Sequence, residues 1–146
     1  MFFGEYRHNL DNKDRLTVPS RFREFLTQGA YVMRGLDRNL MVLPPDVFER
    51  LARQVASLNL ADPNTRLLRR LLFGGMDFIQ VDNSGRILIP QFLRQQSSLE
   101  GEVVVVGQVE YFEIWSPKLW DEQTSKINDA ETNAQRFAAI NLIIGS

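Results

Sequence analysis

The chain contains itself twice. Slid by 71 residues, Phe2, Gly4, Asp11, Asn12, Arg15, Pro19 and Arg23 fall on Phe73, Gly75, Asp82, Asn83, Arg86, Pro90 and Arg94. Apolar positions follow: Leu10 falls on Val81, and Leu16-Thr17-Val18 on Ile87-Leu88-Ile89. After one residue of slippage Gly35 meets Gly107, Pro45 meets Pro117, and Val42-Leu43 lies opposite Ile114-Trp115. A fixed internal period constrains architecture more than any local motif does, because each copy must be the same supersecondary unit. Each copy gives Phe-x-Gly, a strand, an Asp-Asn-x-x-Arg turn, a strand, a proline, a short helix, a hairpin and a longer helix. Such a half leaves too many strand edges unpaired to stand alone. Two halves related by a pseudo-twofold satisfy each other by interleaving their hairpins into one closed small barrel. The expected fold is therefore α+β and β-rich. Residues 1–146 are expected to form a single domain of two pseudo-repeats, 1–72 and 73–146, the second carrying C-terminal helices.

The second copy shows the local chemistry best. Phe78-Ile79-Gln80-Val81 and Ile87-Leu88-Ile89 have the β-branched and aromatic content of strands. Asp82-Asn83-Ser84-Gly85 between them fits a type I turn, in which Asp accepts from backbone N–H groups and Gly takes the left-handed conformation. Pro90 ends the strand and suits the start of a helix. In the first copy that helix is predicted over Ser20 to Leu26, with Phe22, Phe25 and Leu26 inward at i, i+3, i+4. Tyr31 to Arg34 and Leu40 to Leu43 flank a turn containing Gly35, as Val103 to Val106 and Tyr111 to Trp115 flank Gly107. Helices are predicted from Pro45 to about Leu58, burying Phe48, Leu51 and Val55, from Asn64 to Phe73, stopped by Gly74-Gly75, and from Pro117 with Ser116 as its cap. The apolar finish, Phe137 to Ile144, needs something to pack against.

Charge and composition narrow the function. The net charge is −1, but residues 1–70 hold twelve Lys/Arg against eight Asp/Glu and residues 71–146 hold five against ten. This asymmetry suits head-to-tail association, although solvated charge without a partner also accounts for it. The absence of cysteine excludes disulfides and thiolate metal sites. No apolar run approaches membrane-spanning length, and the start of the chain is too short and charged for a signal peptide, so a cytoplasmic setting is expected. His8, the one histidine, falls in a predicted strand with no nucleophile elbow anywhere, and no Gly-rich phosphate loop or EF-hand spacing occurs. Neither an enzyme nor a cofactor or metal site is expected.

One Asp-x-x-x-Arg turn is explained by Asp and Arg bonding each other or the backbone. Folding requires a turn in each copy, but it does not require arginine at the same offset twice. Arg15 and Arg86 on neighbouring loops would form a two-pronged basic surface suited to a major groove, each guanidinium able to bond guanine O6 and N7 together. Lys13 would neutralise phosphate, and Asp11 and Asp82 would fix the direction of their arginines.

With these residues assembled, the chain resembles the MraZ family of bacterial transcriptional regulators. The resemblance spans essentially the whole sequence. It is carried by the Phe-x-Gly start, Asp11 through Pro19, Arg69-Arg70-Leu71-Leu72-Phe73-Gly74, Asp82 through Pro90, and Val106-Gly107-Gln108 through Phe112-Glu113-Ile114-Trp115. It implies an AbrB-like swapped-hairpin fold completed within one chain, closed homo-oligomeric rings, and nucleoid association. It further implies binding of double-stranded DNA at short direct repeats upstream of the cell-division and cell-wall gene cluster that contains its own gene, as a repressor. By position, Arg15 and Arg86 are then the DNA-reading arginines, with Asp11 and Asp82 as motif partners. One departure stands out: Asp14 occupies the place where the family usually has Gly, and where Gly85 stands in the second copy. Asp tolerates a left-handed backbone, but it is expected to set a carboxylate beside Arg15. Two other classes remain open: a protein-interaction scaffold or antitoxin-like partner binder on a similar fold, and an enzyme built on a related barrel.

Overall fold

The computed structural model describes residues 1–145, which form eight strands and six helices. The first copy supplies β1 (Glu5–Asn9), β2 (Arg15–Thr17), α1 (Ser20–Arg23), β3 (Ala30–Arg34), β4 (Leu40–Leu43), α2 (Pro45–Ala56) and α3 (Pro63–Phe73). The second supplies β5 (Asp77–Ile79), β6 (Arg86–Leu88), α4 (Gln91–Gln96), β7 (Glu102–Gly107), β8 (Phe112–Trp115), α5 (Pro117–Ile127) and α6 (Ala130–Arg136).

The copies exchange strands. Within each, only the later pair forms a hairpin, β3 with β4 and β7 with β8. The first strand of each copy leaves it: β1 pairs with β7 and β5 with β3, all antiparallel. Across the middle β4 pairs with β8, giving one sheet of order β1-β7-β8-β4-β3-β5. The remaining strands, β2 and β6, pair with each other as a separate ribbon. In that ribbon Leu16 lies opposite Ile87, and in the sheet Met41 lies opposite Glu113. Both are pairs of equivalent positions, so a pseudo-twofold runs through the ribbon and the sheet centre.

The expected closed barrel is not what forms. Among the described residues the sheet is open, with β1 and β5 at its edges, and the ribbon lies over one face. β2 and β6 are three residues long and direct their ladder at each other, so neither bridges an edge.

Strand alternation decides which side chains enter which layer. Val32, Val42, Val103, Val105, Phe112 and Ile114 point from the sheet toward Leu16, Val18, Ile87 and Ile89 of the ribbon region, with Phe22, Leu26 and Leu93 closing the core. On the opposite face α2 and α3 cover Met33 and Leu43, while Trp120 of α5 covers Val104, Val106 and Trp115. The three long helices each begin with proline, whose missing N–H is unneeded in a first turn. Asp62 accepts from Asn64 N at 2.9 Å, and Ser116 accepts from Leu119 N at 3.2 Å as the sequence predicts.

Smaller differences have local causes. The helix from Ser20 tightens to a 3-10 turn at Glu24–Leu26, which keeps Phe22 and Leu26 inside but leaves Phe25 38% exposed. Helix α2 stops at Ala56, where Ser57 N bonds Arg53 O, and of its expected inward residues Val55 is buried while Phe48 and Leu51 are partly so. Strand β6 sits one residue earlier than predicted, because Arg86 itself joins the ladder opposite Thr17, and β5 begins one residue and ends two residues early, its ladder with β3 running from Asp77 to Ile79. His8 lies in β1 opposite Val103. No helix among the described residues is long and apolar enough to cross a membrane.

Candidate nucleic-acid interface

Each end of the ribbon is a loop closed by its own aspartate. In the first, Asp11 N donates to Arg15 O at 3.0 Å and Asp14 N to Asp11 O at 3.0 Å. The Asp11 carboxylate then does two jobs: Oδ1 accepts from Lys13 N and Arg15 N at 2.9 Å each, and Oδ2 accepts from Arg15 Nε at 2.8 Å. The second loop repeats this bond for bond. Asp82 Oδ1 accepts from Ser84 N and Arg86 N at 2.9 Å each, and Oδ2 accepts from Arg86 Nε at 3.1 Å. Backbone donors, those of Arg15 and Arg86 foremost, hold both carboxyls below the ordinary aspartate value. Each arginine is thus tethered through Nε, which leaves the Nη1 and Nη2 edge of the guanidinium directed away from its own turn.

The two tethered arginines are neighbours. Arg86 Nη1 comes within 3.6 Å of Asp11 Oδ2, so the Asp11 carboxylate touches the arginine of each copy. The period of the ribbon buries Leu16 and Ile87, which places Arg15, Thr17, Arg86 and Leu88 together on its outer face. Leu88 is 56% exposed there, an aliphatic side chain directly across from Arg15. Lys13 sits exposed in the first turn. All five residues singled out from sequence, Asp11, Lys13, Arg15, Asp82 and Arg86, therefore belong to one surface.

The position of Asp14 has a structural answer. Asp14 and Gly85 both take left-handed backbone, with φ of 59° and 79°. Over Gly85 lies the guanidinium of Arg23, whose Nε bonds Val18 O at 2.9 Å; any side chain at residue 85 would run into it. Arg94 is the pseudo-symmetric counterpart, with Nε on Ile89 O at 3.0 Å, and its Nη1 lies 3.3 Å from Asp14 Oδ2. The Asp14 carboxylate is thus engaged by Arg94, not by the adjacent Arg15. Arg23 and Arg94 match in the repeat, yet sequence reasoning assigns them no role. Their recurrence at one offset was the available signal, and Thr17 and Leu88 could have been found from ribbon alternation.

The repeat geometry agrees with what comparison finds. The sequence model of a family described as "MraZ protein, putative antitoxin-like" matches residues 1–71 and again residues 72–141. The chain belongs to the MraZ family. A Roseiflexus castenholzii protein named Transcriptional regulator MraZ is 46% identical over 138 residues, covering 94% of both chains. One of the same name from Thermomicrobium roseum is 40% identical over 141 residues, 96% of this chain and 99% of its own. Another from Halothermothrix orenii is 37% identical over 139 residues, 95% of each. MraZ relatives carry the name of regulators, not of enzymes. Among the described residues no cluster of three His, Cys, Asp or Glu could hold a metal ion.

Proposed function

We propose that this MraZ chain is a sequence-specific DNA-binding transcriptional regulator that reads base edges with Arg15 and Arg86. The observation carrying this reading is the pair of Asp-tethered arginines on one outer ribbon face, linked by the 3.6 Å approach of Arg86 Nη1 to Asp11 Oδ2. A two-stranded ribbon is of the right width for a major groove, and a guanidinium fixed at Nε offers its Nη edge to guanine O6 and N7. Asp11 and Asp82 aim the forks, Lys13 meets a phosphate, and Leu88 is placed to meet a thymine methyl.

A chain of net charge −1 makes few cationic contacts with phosphate. Several subunits arrayed in a closed ring, each taking one short direct repeat, turn weak contacts into tight binding through effective concentration. The sequence motifs shared with the family support extending the reading. The 146-residue chain works as one domain in the cytoplasm, associates with the nucleoid, and represses the cell-division and cell-wall cluster from repeats upstream of its own gene.

Footprinting on that upstream DNA, titrated with salt, tests it: a ladder of evenly spaced protected repeats is expected. Arg86→Ala should weaken binding by roughly 1–3 kcal/mol for each lost bidentate base contact, and Lys13→Ala should lower the salt slope by about one without altering sequence preference. Unchanged gel-shift affinity in the combined Arg15→Ala, Arg86→Ala variant would refute the two-pronged site. The antitoxin-like wording of the family description favours one second reading, a partner-binding module. Equal affinity for scrambled DNA together with a stoichiometric protein partner would select it.

A further inference from the structure

Nothing in the two tethered arginines tells one direction of a DNA duplex from the other. Arg15 and Arg86 are held by matching bonds, so they present equivalent forks about the pseudo-twofold. The grooves beside their turns are what differ.

Beside the second turn lies a groove of about 420 Å³, lined by Arg23, Thr27, Gln80 and Asn83, with Gly85 bare in its wall. Arg23 is partly exposed and bonded through Nε to Val18 O at 2.9 Å. Among the described residues no carboxylate forms an ion pair with it. The one acid in this groove, Asp82, is already taken by Arg86 Nε and by the backbone N–H groups of Ser84 and Arg86. Hydroxyl and amide donors around an uncompensated guanidinium make a seat for one phosphate group, against the turn that carries Arg86.

Beside the first turn the equivalent groove, of about 400 Å³, has the opposite character. Arg94 takes the place of Arg23, but its Nη1 lies 3.3 Å from Asp14 Oδ2, and exposed Glu100 adds a second carboxylate to the lining. Two acids against one arginine give this groove a negative field, which disfavours phosphate.

We propose that Arg23 holds a DNA backbone phosphate while Arg94 holds none, so that each chain grips its duplex at one end of the ribbon and reads it in one direction. This rests on the DNA-binding reading above and adds a polarity that the pseudo-twofold alone does not supply.

Ethylation interference and salt-titrated gel shifts test it, with the full chain on the DNA upstream of its own gene. In each protected repeat the interfering phosphates should lie on one side of the guanine contacts, the same side throughout. Arg23→Gln should abolish that interference and lower the salt slope by about one per bound chain. Asp14→Asn keeps a residue type that tolerates left-handed backbone, and it should release Arg94. Interference should then appear on the second side and the slope should rise by about one per chain. Both gains should vanish when Arg94→Gln is added, whereas Arg94→Gln alone should leave the pattern as it was. Should Arg23→Gln lose its native circular dichroism, the Asp14→Asn pair of variants decides the matter. Phosphate interference on both sides in the unaltered chain, or a pattern that Asp14→Asn does not move, overturns the polarity while the guanine contacts stand. Failure of the unaltered chain to bind this DNA overturns the DNA-binding reading itself, and the polarity with it.

Discussion

Arg94 reaches across the pseudo-twofold to Asp14, with Nη1 3.3 Å from Oδ2, whereas its counterpart Arg23 lies over the bare backbone of Gly85. The same arginine clamp therefore grips two different turns, one through an ion pair and the other through close packing. The inequality of the two turns lies in these clamps; the aspartate tethers themselves match bond for bond.

Asp14→Gly should separate stability from binding. It removes a partly exposed ion pair, worth about 0.2–1 kcal/mol, and also removes an L-residue from left-handed backbone, so the effects oppose each other. Urea denaturation should change by less than about 1 kcal/mol. Affinity for the repeat DNA should rise at low salt, since a carboxylate leaves the turn beside Arg15.

Gly85→Ala should be far more damaging. Its φ of 79° penalises any side chain by about 1–2 kcal/mol, and the new Cβ collides with the Arg23 guanidinium. Chemical denaturation should show that loss or more. Adding Arg23→Ala should recover the collision but not the backbone strain, giving a non-additive double-mutant cycle.

Asp82→Asn tests the tether through pH. The folded carboxyl lies below its ordinary 3.8, so its contribution is fully present above the unfolded value and is lost as pH falls through the folded one. Wild type should be more stable than Asp82→Asn at pH 7, and the gap should close on acidification below the usual aspartate range. A gap independent of pH would mean that the carboxylate charge is not what matters.

Glu113 should behave in the opposite sense. It sits on the pseudo-twofold opposite Met41 and accepts from Trp115 Nε1 at 3.0 Å and Gln108 Nε2 at 3.2 Å, while burial pushes its carboxyl above the ordinary 4.5. Stability from the protonated form is present below the unfolded value and lost as pH rises through the folded one. Relative to Glu113→Gln, wild type should therefore lose stability between acid and neutral pH, read as the urea midpoint of each at several pH values.

Much of this was legible in the sequence because the repeat is written in residue types with strong local meaning. Asp, Gly and Pro at fixed offsets locate the turns, strand ends and helix starts without reference to the rest of the chain. The exchange of β1 and β5 was legible only as a need for partners, since hydrogen-bonding edges leave no trace in residue identity. The open sheet was missed for the same reason. Phe25 looked inward because periodicity assumes 3.6 residues per turn, and the 3-10 segment breaks that count. Arg23 and Arg94 were visible as a repeated pair, but their clamp depends on the other copy's turn being adjacent in space.

Strand exchange also governs how the chain is made. β1 is synthesised first, yet its partner β7 pairs Glu5 with Val106, so the opening strand leaves the ribosome roughly a hundred residues before its ladder can form. β3 meets β4 at once but waits for β5. The β3–β4 hairpin thus emerges with both flanks bare until β5 and then β8 follow, and β1 waits longer still for β7. Slowing elongation should prolong that vulnerable interval without bringing the native sheet any nearer.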